Sequence, residues 1–124
     1  MTKTILMTAA ASLALAVAIG AFGAHGLKPR LSEEMMQVYK TGVEYHFYHA
    51  LGLLLIGILS ASMQSGLLNW SALFLGLGII LFSGSLYLMA VTGIRWLGAI
   101  TPLGGISFIT GWALLFIAVW KNGI

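Results

Sequence analysis

Cysteine is absent from the 124 residues, which excludes disulfides, thiolate metal sites and a cysteine nucleophile and leaves the redox compartment open. Charge is almost as scarce. Charged side chains make up 7% of the chain, against roughly 25% in a soluble domain, and only three of them are acids. No formal charge falls anywhere between Glu44 and Arg95. A water-soluble surface cannot be built that way, so the solvent for most of this chain is lipid. The two prolines, Pro29 and Pro102, stand at expected helix boundaries. The sixteen glycines form no phosphate loop, because neither a strand nor a Walker lysine accompanies them.

What the chain does contain is apolar length. Hydrophobic residues are 60% of the sequence, and a hydrocarbon core of about 30 Å needs roughly 20 apolar residues per helical span. Four stretches qualify: 4–24, 45–63, 70–92 and 101–120. Within lipid every backbone group must be paired, so the expected fold is all-α: an integral membrane four-helix bundle occupying residues 1–124 as one transmembrane domain. No room is left for a soluble catalytic domain. The net charge of +3 does not point to nucleic acid, since basic residues flanking membrane spans act as headgroup and orientation signals. Lys3 ahead of an apolar run imitates a secretory signal, and Ala18-Ile19-Gly20 offers a small-x-small site. The run is longer than the 7–15 residues of a signal core, so a retained first helix is expected.

Six of the nine charges and all three histidines lie between His25 and His49. Pro29 breaks the chain after the first span. Ser32 is a predicted N-cap, with Glu33 and Glu34 in the first turn and Leu31 packing on Met36 as a staple. From there Glu33, Gln37, Lys40 and Glu44 share one face, and Met35, Tyr39, Val43 and His46 another. This predicts a short amphipathic helix between the first two spans, lying along the membrane interface and joining the second near Gly42. Thr101-Pro102 reads as cap and first residue of the fourth span. Small residues at Ser12, Ala16, Gly20 and Ala24, at Ser83, Gly84 and Ser85, and at Gly104, Gly105 and Gly111 are the expected helix-packing surfaces. Trp112 lies eight residues inside the interfacial Trp120, about 12 Å deeper, and is expected to face helix neighbours or an oligomer contact.

His25, Glu44, His46, His49 and Arg95 are the candidate polar cluster, because all five fall at one end of the bundle. Three imidazoles beside a carboxylate could ligate a metal or relay a proton. The structural alternative is a polar collar in which Arg95 pairs with Glu44. No HExxH and no i, i+4 histidine pair occurs, and no catalytic, cofactor or metal residue is assigned.

Four ordered segments carry a family likeness: GAFGAHGL at 20–27, TGVEYHFYHALGLL at 41–54, LFSGSLYLMAVTG at 81–93, and LGAITPLGG with a later Gly111-Trp112. Together they closely resemble the small bacterial membrane proteins of domain-of-unknown-function family 423, which includes YgdD-like proteins. Eukaryotic transmembrane protein 256 is a more distant likeness. The resemblance covers nearly the whole chain and implies a four-helix inner-membrane protein without implying a mechanism. Its pattern runs through His25, Glu44, His49, Ser83, Ser85, Tyr87, Thr101 and Pro102.

The leading expectation is a non-enzymatic protein that acts by helix–helix association or membrane organisation, with the lipid bilayer and a second copy or another membrane protein as partners. One alternative is a small-solute or proton transporter formed as an oligomer, although no formal charge sits near the midplane where such pathways need one. Another is a metal- or redox-linked subunit using His25, His46 and His49. The loops after the first and third spans hold Lys28, Arg30, Lys40 and Arg95, against Lys3 and Lys121 on the other side, which predicts cytoplasmic placement of those two loops.

Overall fold

A computed structural model describes residues 1–122. Among them the chain forms four helices long and apolar enough to cross a bilayer: α1 (Thr2–Leu27), α2 (Glu33–Ser60), α3 (Gly66–Thr92) and α4 (Arg95–Asn122). No strand occurs among the described residues. Short connections make each helix antiparallel to the next. Their ends follow from local chemistry. The Ser32 hydroxyl accepts the Met35 N–H at 3.1 Å with Glu33 and Glu34 in the first turn, as expected. Ser65 likewise caps α3 by accepting the Leu67 N–H at 3.2 Å. Gly93 takes a left-handed conformation, φ 75°, and returns its N–H to the Met89 carbonyl, which stops α3.

Several boundaries differ from expectation. The amphipathic segment expected between the first two spans is not a separate helix. It is the opening of α2, which is helical without a break from Glu33 to Ser60. At 1.5 Å per residue α2 is about 42 Å long against a hydrocarbon core of about 30 Å. Its charged first turns therefore stand in the headgroup region, with Glu33, Gln37, Lys40 and Glu44 exposed and Met35, Tyr39 and His46 buried. At its other end α2 stops at Ser60 rather than Met63. In α4, a tight 3-10 turn at Arg95–Ala99 leads in, and Thr101 is the first α-helical residue rather than the cap. Its hydroxyl is turned sideways to Ser85 instead.

The helices pack in chain order: α1 along α2, α2 along α3, and α3 along α4. The main core joins Ile5 and Ala9 of α1 to Leu53 and Ile56 of α2, Leu68 and Leu75 of α3, and Phe108 of α4. A smaller cluster, Leu27, Tyr39 and Ala90, seals the loop end, and Leu31 and Met36 pack against it together. Both α1 and α3 contain one turn of π-helix, at Gly23–Leu27 and Ile79–Ser83. The second adds one residue to the turn, so the buried face of α3 passes from Gly78 to Ser83 before resuming at Leu86 and Ala90.

Glycines decide how closely α3 and α4 approach. A Cβ on Gly104 would collide with the Phe82 backbone, and one on Gly111 would come within 2.7 Å of the Leu75 side chain. Gly84 and Gly105 are not covered by a neighbouring helix: a Cβ on either would meet nothing within 4 Å. Ser83 and Ser85 are buried, and Gly20 makes an ordinary contact with Val43. Gly104→Ala is expected to destabilise the bundle by about 1–3 kcal/mol, as overpacking does. Gly105→Ala is expected to be neutral or to stabilise by up to about 1 kcal/mol through helix propensity. Unfolding of both variants in mixed micelles, measured by loss of helical circular dichroism, checks the contrast.

Candidate functional site

A histidine buried in a bilayer must find its partners inside the protein. His46, 2% exposed, does so on two other helices. Its Nε2 lies 2.9 Å from the Ser12 hydroxyl of α1, and its Nδ1 lies 2.8 Å from the Tyr87 hydroxyl of α3. A hydroxyl can donate or accept, so a neutral imidazole is satisfied in either tautomer. One ring thus ties α1, α2 and α3 together. Tyr87 reaches it because Gly42 has no side chain, and a Cβ there would come within 2.8 Å of the tyrosine ring.

His49, three residues on, serves a different neighbour. Its Nδ1–H donates to the Tyr45 carbonyl at 2.8 Å, and its ring stacks on Phe108 of α4 with centroids 3.4 Å apart and planes 7° from parallel. Tyr45 and Phe82 stack beside this pair, and Trp112 closes it over Gly52. Trp112 therefore does face helix neighbours along one edge. Hydroxyls bonded to backbone carbonyls then fix the remaining contacts across helices. Ser83 donates to the Gly42 carbonyl at 2.7 Å, Ser71 to Gly111 at 2.6 Å and Ser107 to Phe74 at 2.6 Å. Tyr39 donates to Ile19, its ring lying over Gly23.

The five-residue cluster does not assemble. His46 and His49 are buried, whereas His25 and Glu44 are exposed. Among the described residues no group of three histidine or acidic side chains is placed to hold a metal ion. Arg95 does not pair with Glu44. Its guanidinium grips Glu34, with Nη1 at 2.6 Å from Oε1 and Nη2 at 3.4 Å from Oε2. The geometry explains the change: the α3–α4 loop lies at the level of the first turn of α2, and Glu44 is more than two turns further along. That hydrogen bond, with the charge behind it, holds the Glu34 carboxyl below the usual carboxylate range. The pair's contribution is present at neutral pH and is lost as pH falls through the depressed value. Both partners are exposed, so salt screens it.

Sequence reasoning overlooked Ser12 and Tyr87 as bonding partners of His46, Tyr39 as a hydroxyl donor, and Gly42 and Gly52 as seats for aromatic rings. A polar residue isolated in an apolar span was the available signal for Ser71 and Ser107. The other notable surface is a groove of about 810 Å³ between α1 and α3, floored by His46 and Leu53 of α2. It exists because α1 has no extended backbone contact with α3 or α4.

Tyr87→Phe removes one partner of His46 and is expected to lower stability by about 0.5–2 kcal/mol, the range for interhelical hydrogen bonds in membranes. Glu44→Gln is expected to leave it unchanged. Thermal unfolding of the two variants in mild detergent separates the buried histidine link from the exposed carboxylate.

The family described as "Protein of unknown function (DUF423)" matches residues 19–105. A UPF0382 membrane protein of Staphylococcus haemolyticus is 46% identical over 119 residues, covering 96% of this chain and 97% of that protein. The UPF0382 membrane protein YwdK of Bacillus subtilis is 45% identical over 120 residues, covering 96% and 98%. No solved structure matches. With four bilayer-length apolar helices, and with relatives named as membrane proteins that it matches along nearly their whole length, the chain is an integral membrane protein and belongs to the DUF423 family.

Proposed function

We propose that this protein is non-enzymatic and works by association within the bilayer, the outer face of α4 in one copy meeting the same face of a second. The observation that carries this reading is the make-up of that face. Gly105 is bare, with nothing within 4 Å of its Cβ position, and Ile109, Trp112 and Phe116 follow it at helical spacing. Ile109 is 71% and Phe116 68% exposed. A small residue beside large ones lets two helices approach closely and interlock, and packing rather than hydrophobicity drives helix association in lipid. The interior supports the same reading. Among the described residues every fully buried side-chain nitrogen or oxygen has a hydrogen-bond partner, so the polar groups are engaged in holding helices together. The role that follows is organisation of the membrane rather than turnover of a substrate.

The proposed location is the bacterial inner (plasma) membrane. Outer-membrane spans are built as β-barrels, whereas this bundle is helical. The α1–α2 and α3–α4 connections face the cytoplasm in this reading, because Lys28, Arg30 and Arg95 lie there and Lys40 stands close by on α2.

Since the chain has no cysteine, a single introduced thiol gives an unambiguous test. Ile109→Cys is expected to form an oxidative dimer in native membranes, and Leu88→Cys, exposed on α3, is expected to remain monomeric. Monomer at both positions, or equal crosslinking at both, would sink the self-association reading. Crosslinks from Ile109→Cys to a different protein would replace the second copy with another membrane partner. For orientation, a membrane-impermeant thiol reagent is expected to label Lys121→Cys in intact spheroplasts and Lys28→Cys only after lysis; the reverse pattern would invert the topology.

A further inference from the structure

The groove between α1 and α3 is a separate surface from the α4 face. It runs from Thr4 and Asn69 at one end to Ile19 and Tyr87 at the other, and small residues on both walls, Ala11 on α1 and Gly76 on α3, keep it open. A Cβ at Gly76 would meet nothing within 4 Å. We propose that this groove holds one acyl chain of an anionic glycerophospholipid, with the headgroup at Lys3, Thr4 and Asn69.

Size selects the occupant. Thr4 to Ile19 covers roughly 22 Å at 1.5 Å per residue, so the groove of about 810 Å³ is long and narrow. An extended polymethylene chain suits that shape, and the groove is longer than one leaflet of a hydrocarbon core about 30 Å thick. A second copy is a poor filling. A two-fold pair places the same surface against itself, and two concave walls would leave the space between them empty.

Charge selects the headgroup. Glu33, Glu34 and Glu44 all lie in the first half of α2, toward the Tyr87 end of the groove. At the Thr4 end the charged side chains among the described residues are Lys3 and Lys121, both cationic. Lys3 directly precedes Thr4. The Thr4 hydroxyl and the Asn69 amide line that mouth, and the exposed Lys3 stands one residue away on α1, so donors and a positive charge are available for a phosphate diester and its glycerol. The wall behind the tail is apolar apart from a few hydroxyls and the already bonded His46, which gives a hydrocarbon chain contact on three sides.

Native mass spectrometry of protein released from nanodiscs containing equal amounts of phosphatidylglycerol and phosphatidylcholine, matched in chain length, tests this. The natural chain is expected to retain one phosphatidylglycerol per polypeptide, several-fold over phosphatidylcholine. Gly76→Leu fills the groove and is expected to reduce the retained lipid at least five-fold while leaving the lipid-free unfolding midpoint unchanged. Ala11→Leu, filling it from the opposite wall, gives the same reading should Gly76→Leu disturb folding. Lys3→Gln is expected to keep a bound lipid but bring the two headgroups toward equal occupancy. Undiminished lipid in both filling variants, or no headgroup preference in the natural chain, would overturn the proposal. So would conversion of a dimer to monomer by Gly76→Leu with lipid unchanged, since that would place a second copy in the groove. The α4 crosslink does not report on this site, so either idea can fail alone.

Discussion

A polar side chain inside a bilayer has no water to fall back on, and that single constraint organises this bundle. Apolar faces cannot choose one another in lipid, because a hydrocarbon tail suits leucine as well as another leucine does. The choice is made by groups that must be paired. Ser71 and Ser107 donate to carbonyls on α4 and α3 respectively, one helix reaching across and the other reaching back. Ser83 does the same toward α2, and Ser85 meets Thr101. Each bond fixes both the rotation of a helix and its height against its neighbour. His46 is the extreme case, since its two ring nitrogens point at two different helices.

The two sides of α2 are finished in opposite ways. Toward α4 the space is filled by flat rings: Tyr45, His49, Phe82, Phe108 and Trp112 lie on or beside one another, seated where Gly52 and Gly78 remove side chains. Toward the gap between α1 and α3 it is left open, with small residues on the walls and nothing large reaching across. A bundle that wanted only stability would close both sides, as packing to interior density requires. The asymmetry separates a mutually packed group, α2 with α3 and α4, from a first helix that rests against α2 along one edge.

Much of this was legible in the residues. The four apolar runs, the Ser32 cap and the two faces of early α2 are local properties, set by spacing along one helix. What a single helix cannot specify is how its neighbours are rotated about their own axes. His46 and His49 lie about 60° apart around α2 at 3.6 residues per turn. From sequence they look like one site, yet the first faces α1 and α3 and the second faces α4. The same ambiguity separates Gly104, which Phe82 covers, from its neighbour Gly105, which nothing covers. Arg95 was matched to the wrong acid because α2 runs straight through the interface and carries Glu34 down to the loop. The π turn at Ile79–Ser83 left no mark in the sequence pattern, although it is what brings Ser83 round to Gly42.

The one-sided attachment of α1 bears on the order in which the molecule assembles. Its bonds, Thr2 to Ser60, Ser12 to His46 and Tyr39 to Ile19, all run to α2 at three heights. Chains are threaded into membranes from their beginning, and early segments settle before later ones arrive. The α1–α2 hairpin thus has its own ladder complete when only half of the polypeptide has entered the bilayer. One position on it is still open at that moment, the Nδ1 atom of His46, which acquires its partner when α3 brings in Tyr87. The imidazole is therefore both a clasp for the first hairpin and the docking point that the second must find.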